Sequence, residues 1–168
     1  PQQVSPTGRT RTVPTADAPA WSRGPDRIAG SDRVATAVAV GQRTFPLGAE
    51  TVVVASATSF PDGLVAGPLA VLLGGPVLLT DGAVLSPAAA GEIQRLLPSR
   101  LVVVGGTSAI GDGVLAELAA MTGVVPARLS GPDRYATAAT VASWFPSPTP
   151  TVLVATGASF PDALAAAA

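Results

Sequence analysis

The sequence lacks three residue types on which enzyme chemistry most often depends. It contains no cysteine and no histidine, and all ten of its basic residues are arginine, so lysine is absent as well. These absences exclude thiol nucleophiles, Ser-His-Asp triads, Schiff-base lysines and the usual zinc ligand sets from this sequence. We therefore expect no catalytic residues, no metal site and no cofactor.

Clustered positive charge and long apolar runs are also missing. The net charge is −1, whereas nucleic-acid binding requires positive charge concentrated on one surface. The richest apolar stretch, residues 64–79, is interrupted by Gly67-Pro68 and by Gly74-Gly75-Pro76. It falls short of the roughly 18 uninterrupted apolar residues that a membrane span needs. We expect neither a nucleic-acid partner nor a membrane span.

What the sequence does contain is a long internal repeat. Residues 27–37 return as residues 128–138 with seven of eleven positions identical, and residues 51–67 return as residues 151–167 with ten of seventeen identical. The offset of about one hundred residues exceeds the roughly 20 to 50 residues of a solenoid unit, so each copy has the size of a domain.

The repeat divides the chain into three parts. Residues 1–25 are rich in Pro, Thr, Ser and Ala without helical or strand periodicity, which predicts a flexible linker. Residues 26–126 form a complete first copy, and residues 127–168 hold the N-terminal part of a second copy. An export signal would precede Pro1, which is not a start methionine. We expect residues 26–126 alone to be more soluble than the 168-residue chain, whose incomplete second copy should promote self-association.

Apolar runs alternate with helical patterns in each copy. Helices are predicted over residues 32–40 (with Ser31 as N-cap), 60–73, 86–97 and 110–121. Strands are predicted over residues 51–55, 77–80, 101–104 and 152–155. Such alternation predicts parallel βαβ units, so one copy should be a small three-stranded α/β domain followed by an incomplete second copy.

The motif Ser-Phe-Pro-Asp occurs in both copies and fits a capping box. In that arrangement the serine oxygen accepts a backbone N–H bond and the acid three residues later reaches back to the serine N–H. The predicted caps are Ser59, Asp62, Ser159 and Asp162. Phe60 and Phe160 would then fill the core or a contact between neighbouring copies.

A glycine-rich turn, Gly105-Gly106, follows the third predicted strand. It approaches the G-x-x-x-G-x-G pattern in which glycines let the backbone close on a pyrophosphate. However, Ala109 stands where the middle glycine would be, and no acidic residue follows at the distance of a ribose hydroxyl. A tight packing turn is the preferred interpretation, and a nucleotide-binding enzyme domain is the alternative.

The third motif, Arg-x-x-Gly-x-Asp-Arg, also occurs twice. A helix N-terminus with free N–H groups beside a guanidinium can bind an anion. The candidate ligand-binding residues are Arg27, Asp32, Arg33, Arg128, Asp133 and Arg134. In the other interpretation, each aspartate is a helix cap and each following arginine is its solvated partner. The repetition of the motif favours binding, because repeated modules multiply a binding surface.

These motifs together resemble the cell wall-binding repeat type 2 family of Gram-positive surface proteins. The resemblance rests on Arg-x-x-Gly-x-Asp-Arg-x-x-Thr-Ala, on a Val-rich strand leading into Ser-Phe-Pro-Asp, on the Pro-Val-Leu-Leu run at 76–79 and on Val-Val-Val-Gly-Gly at 102–106. All four blocks occur in the first copy, and the first two recur in the second.

The resemblance implies a Rossmann-like or Toprim-like repeat domain, usually present in three tandem copies that pack around a pseudo-threefold axis. It also implies an extracellular, non-catalytic module that holds an anionic secondary cell-wall polymer and so anchors a surface protein non-covalently. Its partners would be that polymer and neighbouring repeats of the same chain. A purely structural spacer with solvated arginines is a third possibility.

Overall fold

The computed structural model describes residues 3–4, 10–11 and 27–167. Most of the predicted linker, residues 1–25, lies outside the described residues. Within it, the strands β1 (Gln3–Val4) and β2 (Thr10–Arg11) pair antiparallel.

The rest of the described chain alternates between helices and strands. Its elements are α1 (Arg33–Thr44), β3 (Thr51–Ser56), α2 (Phe60–Leu73), β4 (Val77–Thr80), α3 (Pro87–Leu96), β5 (Arg100–Val104), α4 (Asp112–Thr122), β6 (Ala127–Leu129), α5 (Arg134–Ala142) and α6 (Pro161–Ala167). Four strands form a parallel sheet in the order β4-β3-β5-β6. The predicted parallel α/β fold is confirmed. Among the described helices, none is both long and apolar enough to cross a membrane.

The sheet is covered on both faces, which is why its central strands, β3 and β5, are mostly apolar. Every residue of β3 is buried. Val52 and Val54 contribute to one core with residues of α3 and α4, against which Val38 of α1 also packs. Val53 and Ala55 contribute to the other core with residues of α2 and α5. This burial pattern matches that of a parallel sheet in an α/β layer arrangement.

The fourth strand of the sheet comes from the second copy and was not predicted. In β6, Ala127 pairs with Val102 and Leu129 pairs with Val104. Leu129 is buried in the same core as Val141 of α5. The sheet and its core therefore extend across the boundary between the two sequence copies.

The strand predicted at residues 152–155 is not formed. Val152, Leu153 and Val154 are 72%, 67% and 93% exposed, whereas their counterparts in β3 are fully buried. The two sequences are nearly the same, so intrinsic propensity does not explain the difference. A strand needs neighbours to pair with. β3 has β4 on one side and β5 on the other, whereas the described part of the second copy supplies no such strands.

The start of α1 also differs from the prediction. The N-cap is Asp32 and not Ser31, because Oδ1 of Asp32 accepts the N–H of Ala35 at 2.8 Å. An N-cap side chain satisfies one of the four backbone donors that the first turn leaves free.

Candidate functional site

The Gly-x-Asp turn has the same geometry in both copies. In the first, the Gly30 N–H donates to Oγ1 of Thr36 at 3.0 Å, and Asp32 caps α1. A Cβ at Gly30 would lie 2.4 Å from the carbonyl carbon of Ala35, so only glycine fits there. The second copy repeats these bonds at the same distances through Gly131, Thr137, Asp133 and Ala136. Asp32 and Asp133 therefore hold the turn that precedes each arginine.

The side chains of Arg33 and Arg134 bind equivalent carbonyl oxygens in their respective copies. Nη1 of Arg33 donates to the carbonyl oxygen of Ala57, directly after β3, at 2.6 Å. Nη1 of Arg134 donates to the carbonyl oxygen of Gly157 at 2.7 Å. Each of these bonds uses one of the five N–H donors of a guanidinium. Both residues are exposed, so further donors remain for a ligand.

Arg128 is engaged much more completely than Arg33 or Arg134. Its Nη1 donates to the carbonyl oxygen of Gly105 at 2.7 Å, and its Nη2 donates to that of Ile110 at 2.8 Å. The same Nη2 forms an ion pair with Oδ1 of Asp112 at 3.0 Å. Arg27, at the same motif position of the first copy, is exposed. The structure thus separates two arginines that the sequence presents as equivalent.

The glycine-rich turn is closed by the protein's own groups. The Gly105 N–H donates to the carbonyl oxygen of Leu129 at 2.9 Å, and the N–H groups of Ala109 and Ile110 donate to that of Gly106. Gly105 has a φ of 119°, a conformation that favours glycine. Because these N–H groups are already bonded, they are not free to cradle a pyrophosphate. The preferred interpretation of a packing turn agrees with this geometry.

Asp62 lies against that turn and does not complete a capping box. Ser59 is the N-cap residue of α2, but its side chain makes no capping hydrogen bond, and its N–H donates to Oγ of Ser56. Asp62 is buried, and a Cβ at Gly105 would lie 2.6 Å from its Oδ2. Burial raises the pKa of Asp62, while the charge of Arg134 lowers it. The capping-box prediction is therefore wrong for Asp62, whose carboxyl faces the Gly105 turn.

The capping-box residues of the second copy differ from those of the first. Ser159 and Asp162 are exposed, and α6 begins at Pro161. In the described part of the chain, no group of three or more acidic residues is placed to hold a metal ion.

Aromatic rings connect the two copies next to Arg134. The rings of Phe60 and Phe160 meet edge to face with centroids 5.8 Å apart. Cζ of Arg134 lies 5.8 Å from the centroid of Phe60, within cation–π range. Both phenylalanines thus occupy a contact between copies, one of the two roles expected for them. An open groove of about 610 Å³ lies beside this contact.

The family model described as cell wall binding domain 2 matches residues 27–115 and 128–168. The chain belongs to this family. It is therefore a cell wall binding module, located at the cell wall or cell surface, and the resemblance inferred from the sequence is confirmed. The family assignment does not favour a nucleotide-binding enzyme domain.

Two similar proteins come from Bacillus subtilis (strain 168). The N-acetylmuramoyl-L-alanine amidase LytC is 31% identical over 116 residues, which are 69% of this chain and 23% of LytC. The amidase enhancer is 32% identical over 142 residues, which are 84% of this chain and 20% of that protein. The chain thus spans about a fifth of the length of these relatives.

Two solved structures share the fold. Cwp8 from Clostridium difficile has a TM-score of 0.64 at 31% identity, covering 69% of this chain and 20% of Cwp8. Cwp6 from the same organism has a TM-score of 0.67 at 26% identity, covering 70% of this chain and 18% of Cwp6. Both alignments support the parallel α/β repeat fold.

Proposed function

We propose that this chain is a non-catalytic module that anchors a surface protein non-covalently by binding an anionic secondary cell-wall polymer. The observation that carries the proposal is the duplicated placement of Arg33 and Arg134. Each guanidinium donates to a loop carbonyl oxygen, that of Arg134 also lies over the Phe60 ring, and both residues are exposed. A guanidinium fixed in this way loses less conformational entropy when it binds a phosphate or carboxylate.

The six candidate residues take different parts in this proposal. Arg33 and Arg134 bind the polymer, and the exposed Arg27 adds charge. Asp32 and Asp133 cap the helices and so position the arginines that follow them. Arg128 supports the Gly105 turn instead of contacting ligand, because its guanidinium is already bonded to two carbonyl oxygens and a carboxylate.

The wider context of the module is also a proposal. LytC is named as an amidase, and the chain covers 23% of it. We infer that any catalytic activity or adhesin function in the parent protein resides in a separate domain. Contact between the copies through Phe60 and Phe160 supports neighbouring repeats as the second partner.

Sedimentation of the protein with purified cell walls tests the proposal. Walls are compared before and after chemical extraction of their anionic polymer, and binding should be lost after extraction. Arg33→Gln and Arg134→Gln should each weaken binding to intact walls. Arg100→Gln is the matched control, since Arg100 is exposed at the opposite, amino end of β5. Equal binding to extracted and intact walls would refute polymer recognition, and equal binding by all three variants would refute the arginine site.

A further inference from the structure

At the position after the motif arginine, the second copy carries an exposed aromatic ring that the first copy lacks. Tyr135 follows Arg134 and is 64% exposed. Its counterpart in the first copy is Val34, since the residue after Arg33 is valine. A tyrosine ring offers a flat apolar face as well as a hydroxyl group, whereas valine offers neither. The two arginine sites therefore have different surroundings.

The backbone opposite the ring differs between the copies in a matching way. A Cβ at Gly157 would lie 2.5 Å from Cε1 and 2.9 Å from Cζ of Tyr135, so a side chain at residue 157 would displace the ring. The first copy has Ala57 at this position, and the smaller Val34 at the position of Tyr135. The second copy thus combines the larger Tyr135 with the smaller Gly157. Gly157 is also the residue whose carbonyl oxygen holds Arg134, so ring and guanidinium share one support.

The groove beside this pair is lined mainly by apolar side chains, and its charged lining residue is Arg134. Its volume is about 610 Å³, and Arg134, Tyr135 and Phe60 contribute to its lining. Sugar rings present C–H faces that pack on aromatic rings, and a phosphate or carboxylate on the sugar would pair with the guanidinium. Small-molecule sites typically combine such an apolar lining with a few placed polar groups.

We propose that Tyr135 and Arg134 form a subsite for one negatively charged glycosyl unit of the polymer. The sugar face packs on the Tyr135 ring while its charged substituent binds Arg134. The first copy has Val34 in place of the ring, so it binds the charged substituent without recognising the sugar. This inference rests on the proposed polymer binding and adds the sugar as a recognised part of the ligand.

Two soluble polyanions separate recognition of sugar from recognition of charge. Carboxymethyl-dextran carries charged glucose units, and inorganic polyphosphate carries charge without sugar. Dissociation constants for both are measured by calorimetry on the 168-residue chain. Tyr135→Val, which introduces the first-copy residue, should weaken binding of carboxymethyl-dextran roughly three- to tenfold and change that of polyphosphate less than about twofold. Tyr135→Phe, which keeps the ring, should retain affinity for both, and Arg134→Gln should weaken both.

Control variants and outcomes complete the test. Val34→Ala should leave both affinities unchanged, and Gly157→Ala should reproduce the selective loss, because it displaces the Tyr135 ring. Equal effects of Tyr135→Val on the two polyanions, or no effect on either, would overturn the subsite. Retained binding to intact walls would then show that polymer binding itself survives. Failure of the wild-type chain to bind polymer-bearing walls would instead reject the underlying function along with the subsite.

Discussion

Arg128 donates from Nη1 to the carbonyl oxygen of Gly105 at 2.7 Å, joining the first residues of the second copy to the glycine-rich turn of the first. The same guanidinium donates to the carbonyl oxygen of Ile110, at the other end of that turn. A planar guanidinium suits such bridging, because its donors lie in a fixed fork. The turn that the sequence offered as a possible nucleotide site is thus part of the junction between copies.

This relationship predicts that the two equivalent arginines of the repeat affect stability differently. Arg128→Gln should lower the free energy of unfolding by roughly 1–3 kcal/mol, because partly buried carbonyl oxygens lose their donors. Arg27→Gln should change it little, because Arg27 is exposed. Urea unfolding followed by circular dichroism measures both. Equal losses in the two variants would contradict the assignment of Arg128 to the junction.

Most of the sheet could be predicted from the sequence, because residues 52–55 of β3 and residues 101–104 of β5 are uninterrupted apolar runs. β6 could not, since its three residues include the polar Arg128 and are too few to show any periodicity. The run at residues 152–155 was wrongly predicted as a strand for the opposite reason. It has strand composition but lacks pairing partners, and pairing is a tertiary property that a local pattern does not contain.

The candidate site was predicted less completely than the fold. The duplication points to the Arg-x-x-Gly-x-Asp-Arg motif, but the local sequence does not decide between an anion site and a helix cap. In the structure Asp32 and Asp133 are caps, whereas Arg33 and Arg134 hold loop carbonyl oxygens and remain exposed. The position of Asp62 against Gly105 is a contact between residues 43 positions apart in the sequence. No local motif encodes such a distance.

Binding to walls should depend on salt and on the number of sites engaged. Exposed arginine–anion contacts are screened over a Debye length of about 8 Å at physiological ionic strength, so rising salt should release the protein. Each site should be weak alone, while linking sites raises avidity by about 10² to 10⁴. Wall sedimentation across a sodium chloride series measures this. Retention in molar salt, or unchanged retention in Arg33→Glu/Arg134→Glu, would argue against an arginine site.

The buried carboxyl of Asp62 predicts a pH dependence of stability. Burial raises its pKa above the ordinary value of 3.8, so the folded protein holds this proton more tightly than the unfolded chain. The contribution of Asp62 to the free energy of unfolding therefore falls as the pH rises from 3.8 through the raised pKa. Asp62→Asn should be more stable than wild type at neutral pH, and the difference should vanish in acid.

Asp162→Asn provides the matched control for Asp62→Asn. Asp162 occupies the same motif position in the second copy but is exposed, so its replacement should change stability little at any pH. Urea unfolding between pH 3 and pH 8 compares the three proteins. A neutral-pH loss of stability in Asp62→Asn would show that the charged carboxylate stabilises the fold through Arg134, against the predicted sign.

The sheet and one core extend past residue 126, the end of the first sequence copy, through β6 and α5. Ending the chain at residue 126 removes β6 and α5, and with them the buried side chains of Leu129 and Val141. Each such side chain contributes about 1.5–3 kcal/mol when fully buried. The truncation also leaves β5 as an edge strand, whose unpaired N–H and C=O groups can pair with another chain. A chain of residues 27–146 keeps the four-stranded sheet and both cores.

We therefore expect residues 27–146 to be monomeric and the most stable of three proteins in urea. Residues 27–126 should unfold earlier and self-associate through β5. Residues 27–168 should self-associate through Val152, Leu153 and Val154, which are exposed on an unpaired segment. Light scattering after size-exclusion chromatography measures mass across a concentration series.

A control variant, Val152→Thr/Val154→Thr in residues 27–168, should reduce association because it removes apolar surface without touching the sheet. A stable, monomeric 27–126 would show that β6 and α5 are dispensable, and a monomeric 27–168 would show that the exposed segment does not template pairing.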